Sequence, residues 1–170
     1  MRRSQRPINS SSLPLSYAKE DGFSLLEVLI SVLVLAVGLL GLAGLQTTVI
    51  KYNHSAYLRS IAVYQAENII DRMRANKAGV SAGNYNSASG IPSNPNCTVC
   101  TPSQLALRDL YQWNTSNAAL LPLGQGTVQG NGSVFTITMR WDNDRTGATG
   151  TNCGGDPEVD LTCIQMGVEL

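Results

Sequence analysis

The chain has 170 residues, 12 basic and 12 acidic side chains, one histidine and four cysteines. That length suits one small soluble domain plus one further segment, not two domains. A balanced charge gives no basic face for nucleic acid, and a single histidine excludes any multi-histidine metal centre.

Residues 1–21 are polar and carry Arg2, Arg3, Arg6 and Lys19. After Glu27 no charged residue appears until Lys51, and the stretch from Val28 to Leu45 is almost wholly Val, Leu, Ile, Ala and Gly. About 20 such residues in a helix cross the roughly 30 Å hydrocarbon core of a bilayer, and a helix is the single-segment structure that satisfies its own backbone there. The basic residues before the run place the N-terminus in the cytoplasm and the chain beyond Lys51 on the opposite side of the membrane. A secretory signal cut near Gly41-Leu42-Ala43 is the competing reading, but it leaves Gly22 and Glu27 unexplained. Glu27 is the anomaly. A carboxylate inside an apolar segment costs up to about 2.5–3.5 kcal/mol, so it marks a partner or a function.

The pattern Gly22-Phe23-Ser24-Leu25-Leu26-Glu27, at the start of a single N-terminal membrane helix, resembles the processing site of type IV prepilins and the related pseudopilins. That resemblance implies removal of residues 1–22 by a prepilin peptidase that cuts between Gly22 and Phe23 and methylates the new terminus at Phe23. It implies that Glu27 pairs with the N-terminal amine of a neighbouring subunit. An unpartnered buried carboxylate is costly and an α-amino group is cationic near neutral pH, so the physics agrees. The family usually has Lys or Arg next to the glycine; here Glu20-Asp21 intervene and Lys19 stands close by. The remaining 148 residues carry eight basic and ten acidic side chains, a net charge of −2.

Gly38, Gly41 and Gly44 lie three apart in the apolar run and read either as close-packing positions or as ordinary membrane-helix glycines. Beyond Gln46 the pattern turns amphipathic: Tyr52, Ala56, Val63, Ala66, Ile70 and Met73 recur at helical spacing. Arg59 interrupts this stripe, and Ile61, Ala62 and Ile69 broaden it. One helix is therefore expected from Phe23 to about Lys77, ended by Lys77-Ala78-Gly79. His54 reads as a solvated residue just outside the membrane.

Residues 79–100, rich in Gly, Ser, Asn and Pro, read as a long loop closing on Cys97-Thr98-Val99-Cys100. With Cys153 and Cys163 they make four cysteines in an exported segment, which read as two disulfides. Three connectivities are open, and the two local pairs are the expectation. The spacing suits neither zinc nor a thioredoxin-like site. Thr101-Pro102-Ser103-Gln104 has the form of a capping box with Pro in the first turn. It predicts a helix to about Leu120, stopped by Leu121-Pro122, that buries Leu107, Leu110 and Tyr111 or Trp113. A short strand is expected at Thr127-Val128-Gln129. Ser133–Trp141 alternates, with Phe135, Ile137, Met139 and Trp141 on one face, as do Ile164, Met166, Val168 and Leu170. Together these make an antiparallel sheet. Asp142-Asn143-Asp144-Arg145-Thr146-Gly147 begins like a calcium loop, but Cys153 stands where a bidentate Glu belongs, so a polar turn is the preferred reading over calcium.

The expectation is thus an α+β, type IV pilin-like chain in four parts. They are a leader at 1–22, a transmembrane and filament-core helix at 23–50, its amphipathic continuation at 51–78, and a periplasmic or extracellular head at 79–170. Asp109 with Trp113, Leu121-Pro122 with Gly124 and Gly126, and Arg140-Trp141-Asp142 are similar to the PilV group of minor pilins. The resemblance implies a minor subunit near the filament tip, supporting pilus biogenesis, twitching motility and adhesion. Its partners would be other minor and major pilins, the prepilin peptidase and the inner-membrane assembly platform. It would start as a single-pass inner-membrane protein and end in the pilus at the cell surface. A type II secretion pseudopilin and a tip adhesin are the alternatives. No catalytic constellation, cofactor, metal or nucleic-acid partner is expected.

Overall fold

The computed structural model describes residues 22–170; the expected leader, with its Arg2, Arg3, Arg6 and Lys19, lies outside the described residues except for Gly22. The chain divides into two compact units between Leu45 and Gln46.

In the first unit, α1 (Leu25–Ala75) begins. Its start is set by the Ser24 carbonyl, which accepts from the backbone N–H groups of Glu27 and Val28 at 3.0 and 3.3 Å. Every residue from Gly22 to Leu45 is exposed, and no residue of the helix's most apolar 18-residue stretch is buried. A helix apolar all round belongs in a core or a membrane.

The second unit holds the rest of α1, then α2 (Lys77–Ser81), β1 (Ser87–Ser89), α3 (Pro102–Leu120), β2 (Gln125–Asn131), β3 (Val134–Trp141) and β4 (Thr162–Glu169). The four strands form one antiparallel sheet in the order β1-β2-β3-β4. Gly132, at φ 65°, and Ser133 make the two-residue turn between β2 and β3; a glycine at positive φ in the first turn position matches the strand twist. In β3 the residues Phe135, Ile137, Met139 and Trp141 are all buried, as their alternation requires. Ile164, Met166, Val168 and Leu170 are half-buried against the same core, since β4 is an edge strand.

The core is one cluster that joins α1 from Leu58 to Met73 with Tyr85, α3, β2 and β3. Several expectations shift here. The buried face of α1 is Leu58, Ala62, Gln65, Ala66, Ile69, Ile70 and Met73, whereas Tyr52 and Val63 are exposed, as is Ala56. The helix starts at Leu25 and ends at Ala75, not at Phe23 and Lys77, because Asn76 breaks it. Asn76 instead caps α2, its Oδ1 accepting from Gly79 N–H at 3.1 Å, while its Nδ2 donates to the Pro102 carbonyl at 2.8 Å. Lys77 and Gly79 lie inside α2 rather than ending α1. The loop read over 79–100 contains the end of α2 and β1, which pairs with β2 through Ala88 opposite Val128. The strand expected at Thr127–Gln129 runs from Gln125 to Asn131.

The capping box of α3 forms as spelled. Thr101 Oγ1 accepts from Gln104 N–H at 3.3 Å and Gln104 Oε1 accepts from Thr101 N–H at 3.0 Å, satisfying two orphan donors reciprocally. Leu110 and Trp113 are buried, but Leu107 is exposed and Tyr111 only half-buried. The Trp113 indole N–H donates 2.7 Å to the Gln65 carbonyl of α1, which fixes one helix on the other. Gly126 sits beneath that ring: a Cβ there would collide with the Trp113 ring and the Asn117 amide.

Candidate functional site

The N-terminal stretch is a short exposed platform. Phe23 is 83 % and Leu25 80 % exposed, and Glu27 stands in the first turn of α1. An acidic side chain there complements the positive end of the helix dipole. Among the described residues, the Glu27 carboxylate has no hydrogen-bond or ion-pair partner; its backbone carbonyl accepts from Ser31 Oγ at 2.7 Å. The acid therefore stands in the first turn of an apolar helix, four residues after Phe23, without a side-chain partner among the described residues. Gly38 and Gly41 face open space, where a Cβ would touch nothing.

The cysteines pair locally, Cys97 with Cys100 and Cys153 with Cys163, and among the described residues none is free. His54 is exposed.

In the acidic loop after β3, Asp142, Asp156 and Asp160 accept from the loop's own backbone. Asp142, buried, accepts from Thr146 N–H at 3.1 Å through Oδ1 and from Gly147 N–H at 2.8 Å through Oδ2. Asp160 Oδ1 accepts from Asn152 N–H at 3.0 Å, and Asp156 Oδ1 from Glu158 N–H at 2.9 Å. Among the described residues no three His, Cys, Asp or Glu side chains gather where they would hold a metal ion.

Composition did not reveal a polar cluster that ties α1, α2, Tyr85 and α3 together. Asp109 in α3 accepts from the Tyr85 hydroxyl at 2.8 Å and from Arg72 Nη1 at 3.3 Å. Arg72 also donates to Asn68 Oδ1 at 2.9 Å and to Gln112 Oε1 at 2.8 Å, and Asn76 Nδ2 donates to the Tyr85 oxygen at 3.1 Å. Burial drives the Tyr85 phenol well above the ordinary tyrosine range, opposed by the Asn76 donor and assisted by the Asp109 carboxylate it bonds. A second polar knot lies under α3. Asn114 Oδ1 accepts from Gly126 N–H at 2.9 Å and from Asn117 Nδ2 at 3.2 Å, and Asn114 Nδ2 donates to the Gly90 carbonyl at 2.7 Å. The only signal for these in the sequence is Asp109 itself, four residues before Trp113.

Residues 17–43 match the prokaryotic N-terminal methylation motif. No curated protein and no solved structure matches the chain. Helix α1 is long and apolar enough to cross a membrane, and together with the motif it fits membrane anchoring. The motif implies processing by a prepilin peptidase and assembly with other pilins. With a long N-terminal apolar helix and a small antiparallel four-stranded sheet, the chain has an α+β pilin-like layout, and its methylation motif indicates a type IV pilin or pseudopilin.

Proposed function

We propose that this protein is a minor pilin of a type IV pilus that helps initiate assembly at or near the filament tip. Residues 1–22 are the leader, removed between Gly22 and Phe23; residues 23–50 span the inner membrane with the N-terminus cytoplasmic and then enter the filament core. Residues 51–78 continue the helix into a head, 79–170, that ends up at the cell surface, where it supports motility and adhesion. Glu27 is the latch: it accepts the methylated terminal amine of a neighbouring subunit, an ion pair that apolar surroundings strengthen. The single observation that carries this reading is an exposed, almost wholly apolar stretch of helix up to Leu45 whose one acid, Glu27, has no hydrogen-bond or ion-pair partner among the described residues.

The PilV group is favoured within the pilins because the residues of that resemblance interlock in the head: Asp109 with Tyr85, Trp113 with Gln65 and over Gly126, and Asp142 with its loop.

Intact mass and N-terminal sequencing of protein recovered from membranes test the processing. The expected result is a chain that begins at N-methylated Phe23; a chain that begins at Met1, or beyond Ala43, overturns the assignment. For the latch, Glu27→Ala is expected to leave membrane insertion intact and to lower recovery in sheared filaments by about tenfold or more, the loss of one buried charge pair. Normal incorporation of that variant refutes the latch.

A further inference from the structure

A cleft of about 830 Å³ opens between the α1 segment at Thr48–Ser55 and the loop after β3. Lys51 lines it from the helix and Arg145 from the loop, with Tyr52, His54, Ser55 and Asp144 around them. Among the described residues, Lys51 and Arg145 form no hydrogen bond or ion pair with any other side chain. Asp144, the one acid in the lining, already accepts from Asn143 Nδ2 at 3.3 Å. Two unpaired cations, a hydroxyl and an imidazole around one cleft call for an anion.

The loop is built to hold Arg145 there. Arg145 has φ 56°, a left-handed conformation that is disfavoured for a non-glycine residue. The buried Asp142 carboxylate holds this conformation in place by gripping the next two N–H groups, at Thr146 and Gly147. The calcium-like spelling thus braces an arginine.

We infer that this cleft binds the phosphodiester headgroup of an anionic phospholipid, with Lys51 and Arg145 on the phosphate. Its place along the chain selects a lipid over free phosphate. Lys51 is the first charge after Glu27, six residues beyond the apolar run that ends at Leu45, close enough for a lysine to extend its ammonium to the headgroup layer. Ile50 and Tyr52 also line the cleft, giving an apolar and aromatic border of the kind found at membrane interfaces. The volume is that of a small-molecule site. A guanidinium and an ammonium converging on one phosphate provide charge-assisted hydrogen bonds from two directions. Lipid binding here rests on the reading that α1 spans the membrane. It adds a lipid that the head would hold before the subunit leaves the bilayer.

The test uses the full chain in a neutral glycoside detergent, titrated with dihexanoyl-phosphatidylglycerol and followed by calorimetry and phosphorus NMR. Lys51→Gln and Arg145→Gly are each expected to weaken binding about tenfold, the loss of one charge-assisted hydrogen bond. Inorganic phosphate is expected to bind the wild type at least about tenfold more weakly, lacking the apolar border. Arg145→Gly suits its own backbone conformation, so it keeps the fold, and an unchanged unfolding midpoint confirms that. Unaltered lipid affinity in the double variant overturns the site. So does inorganic phosphate that binds as tightly as the lipid, or an acidic peptide that displaces the lipid at equal concentration. Carbonate extraction of membranes that carry the same proteins reads the spanning segment separately: release of the wild type refutes the membrane reading, while the detergent titration still reads the cleft.

Discussion

The two ends of α1 obey opposite rules. From Phe23 to Leu45 every side chain is exposed and nearly all are apolar. From Leu58 to Met73 the same helix buries one stripe and leaves most of the other side chains exposed. The first stretch cannot satisfy the hydrophobic effect within its own chain and needs a bilayer or other helices. The second is complete: Trp113, Tyr85, Phe135 and Trp141 are each at most 1 % exposed, in one core with it. The molecule thus separates a part whose energetics are external from a part whose energetics are internal, and substitutions in one should leave the other unmoved.

The largest expected effect on the internal part comes from Trp113→Ala. It removes the buried ring that covers Gly126 and leaves the Gln65 carbonyl without its indole donor. Phe or Trp to Ala in a core costs about 3–5 kcal/mol, so the head of this variant should unfold at a far lower urea midpoint. Its membrane insertion should be unchanged. Loss of insertion along with the head would erase the separation.

Next are the disulfides, which differ in the loop they close: Cys153–Cys163 spans ten residues and Cys97–Cys100 three. On loop entropy the first is worth about 2.7 kcal/mol and the second about 1.6. Urea titrations of Cys153→Ser with Cys163→Ser, and of Cys97→Ser with Cys100→Ser, should rank in that order. The reverse order would mean that the Cys97 loop carries more of the head's order than its length implies.

Tyr85 gives a smaller effect, and one tied to pH. Its folded-state pKa is raised above the unfolded value of about 10. The stability it contributes is complete below pH 10 and is lost as pH rises toward the folded value, because the unfolded state releases the proton first. The slope is about 1.4 kcal/mol per pH unit above pH 10. Tyr85→Phe should remove that component of the alkaline slope, at a cost of about 1 kcal/mol near neutral pH for the lost hydrogen bond to Asp109. An unchanged slope in the variant would place the alkaline loss on another group.

How far the sequence revealed these features obeys the same division. The apolar run was legible because a helix long and apolar enough to cross a bilayer is a matter of composition and length, and β3 because strict alternation has one reading. The α3 capping box was legible because it is local in the chain. The hidden features depend on distant partners. β1 reads Ser-Ala-Ser and becomes a strand only because β2 offers an edge. Asn76 interrupts α1 because it also serves Tyr85 and Pro102. The buried stripe begins at Leu58 rather than Tyr52 because no core lies opposite the earlier turns, a fact no periodicity contains.

The smallest effect sharpens the comparison most. Glu27→Ala should leave the urea midpoint of the head within about 0.5 kcal/mol of the wild type, as surface substitutions away from packing do. Glu27 is exposed and its carboxylate accepts no hydrogen bond among the described residues, so its removal breaks no contact among them and slightly raises local helix propensity. Yet the same variant is the one expected to fail in filaments. A stable head in a subunit that does not assemble would place the whole cost of that one substitution outside the chain. A head destabilised by it would mean that the acid has an intramolecular partner in solution, and the latch would then have to break that contact before it could form.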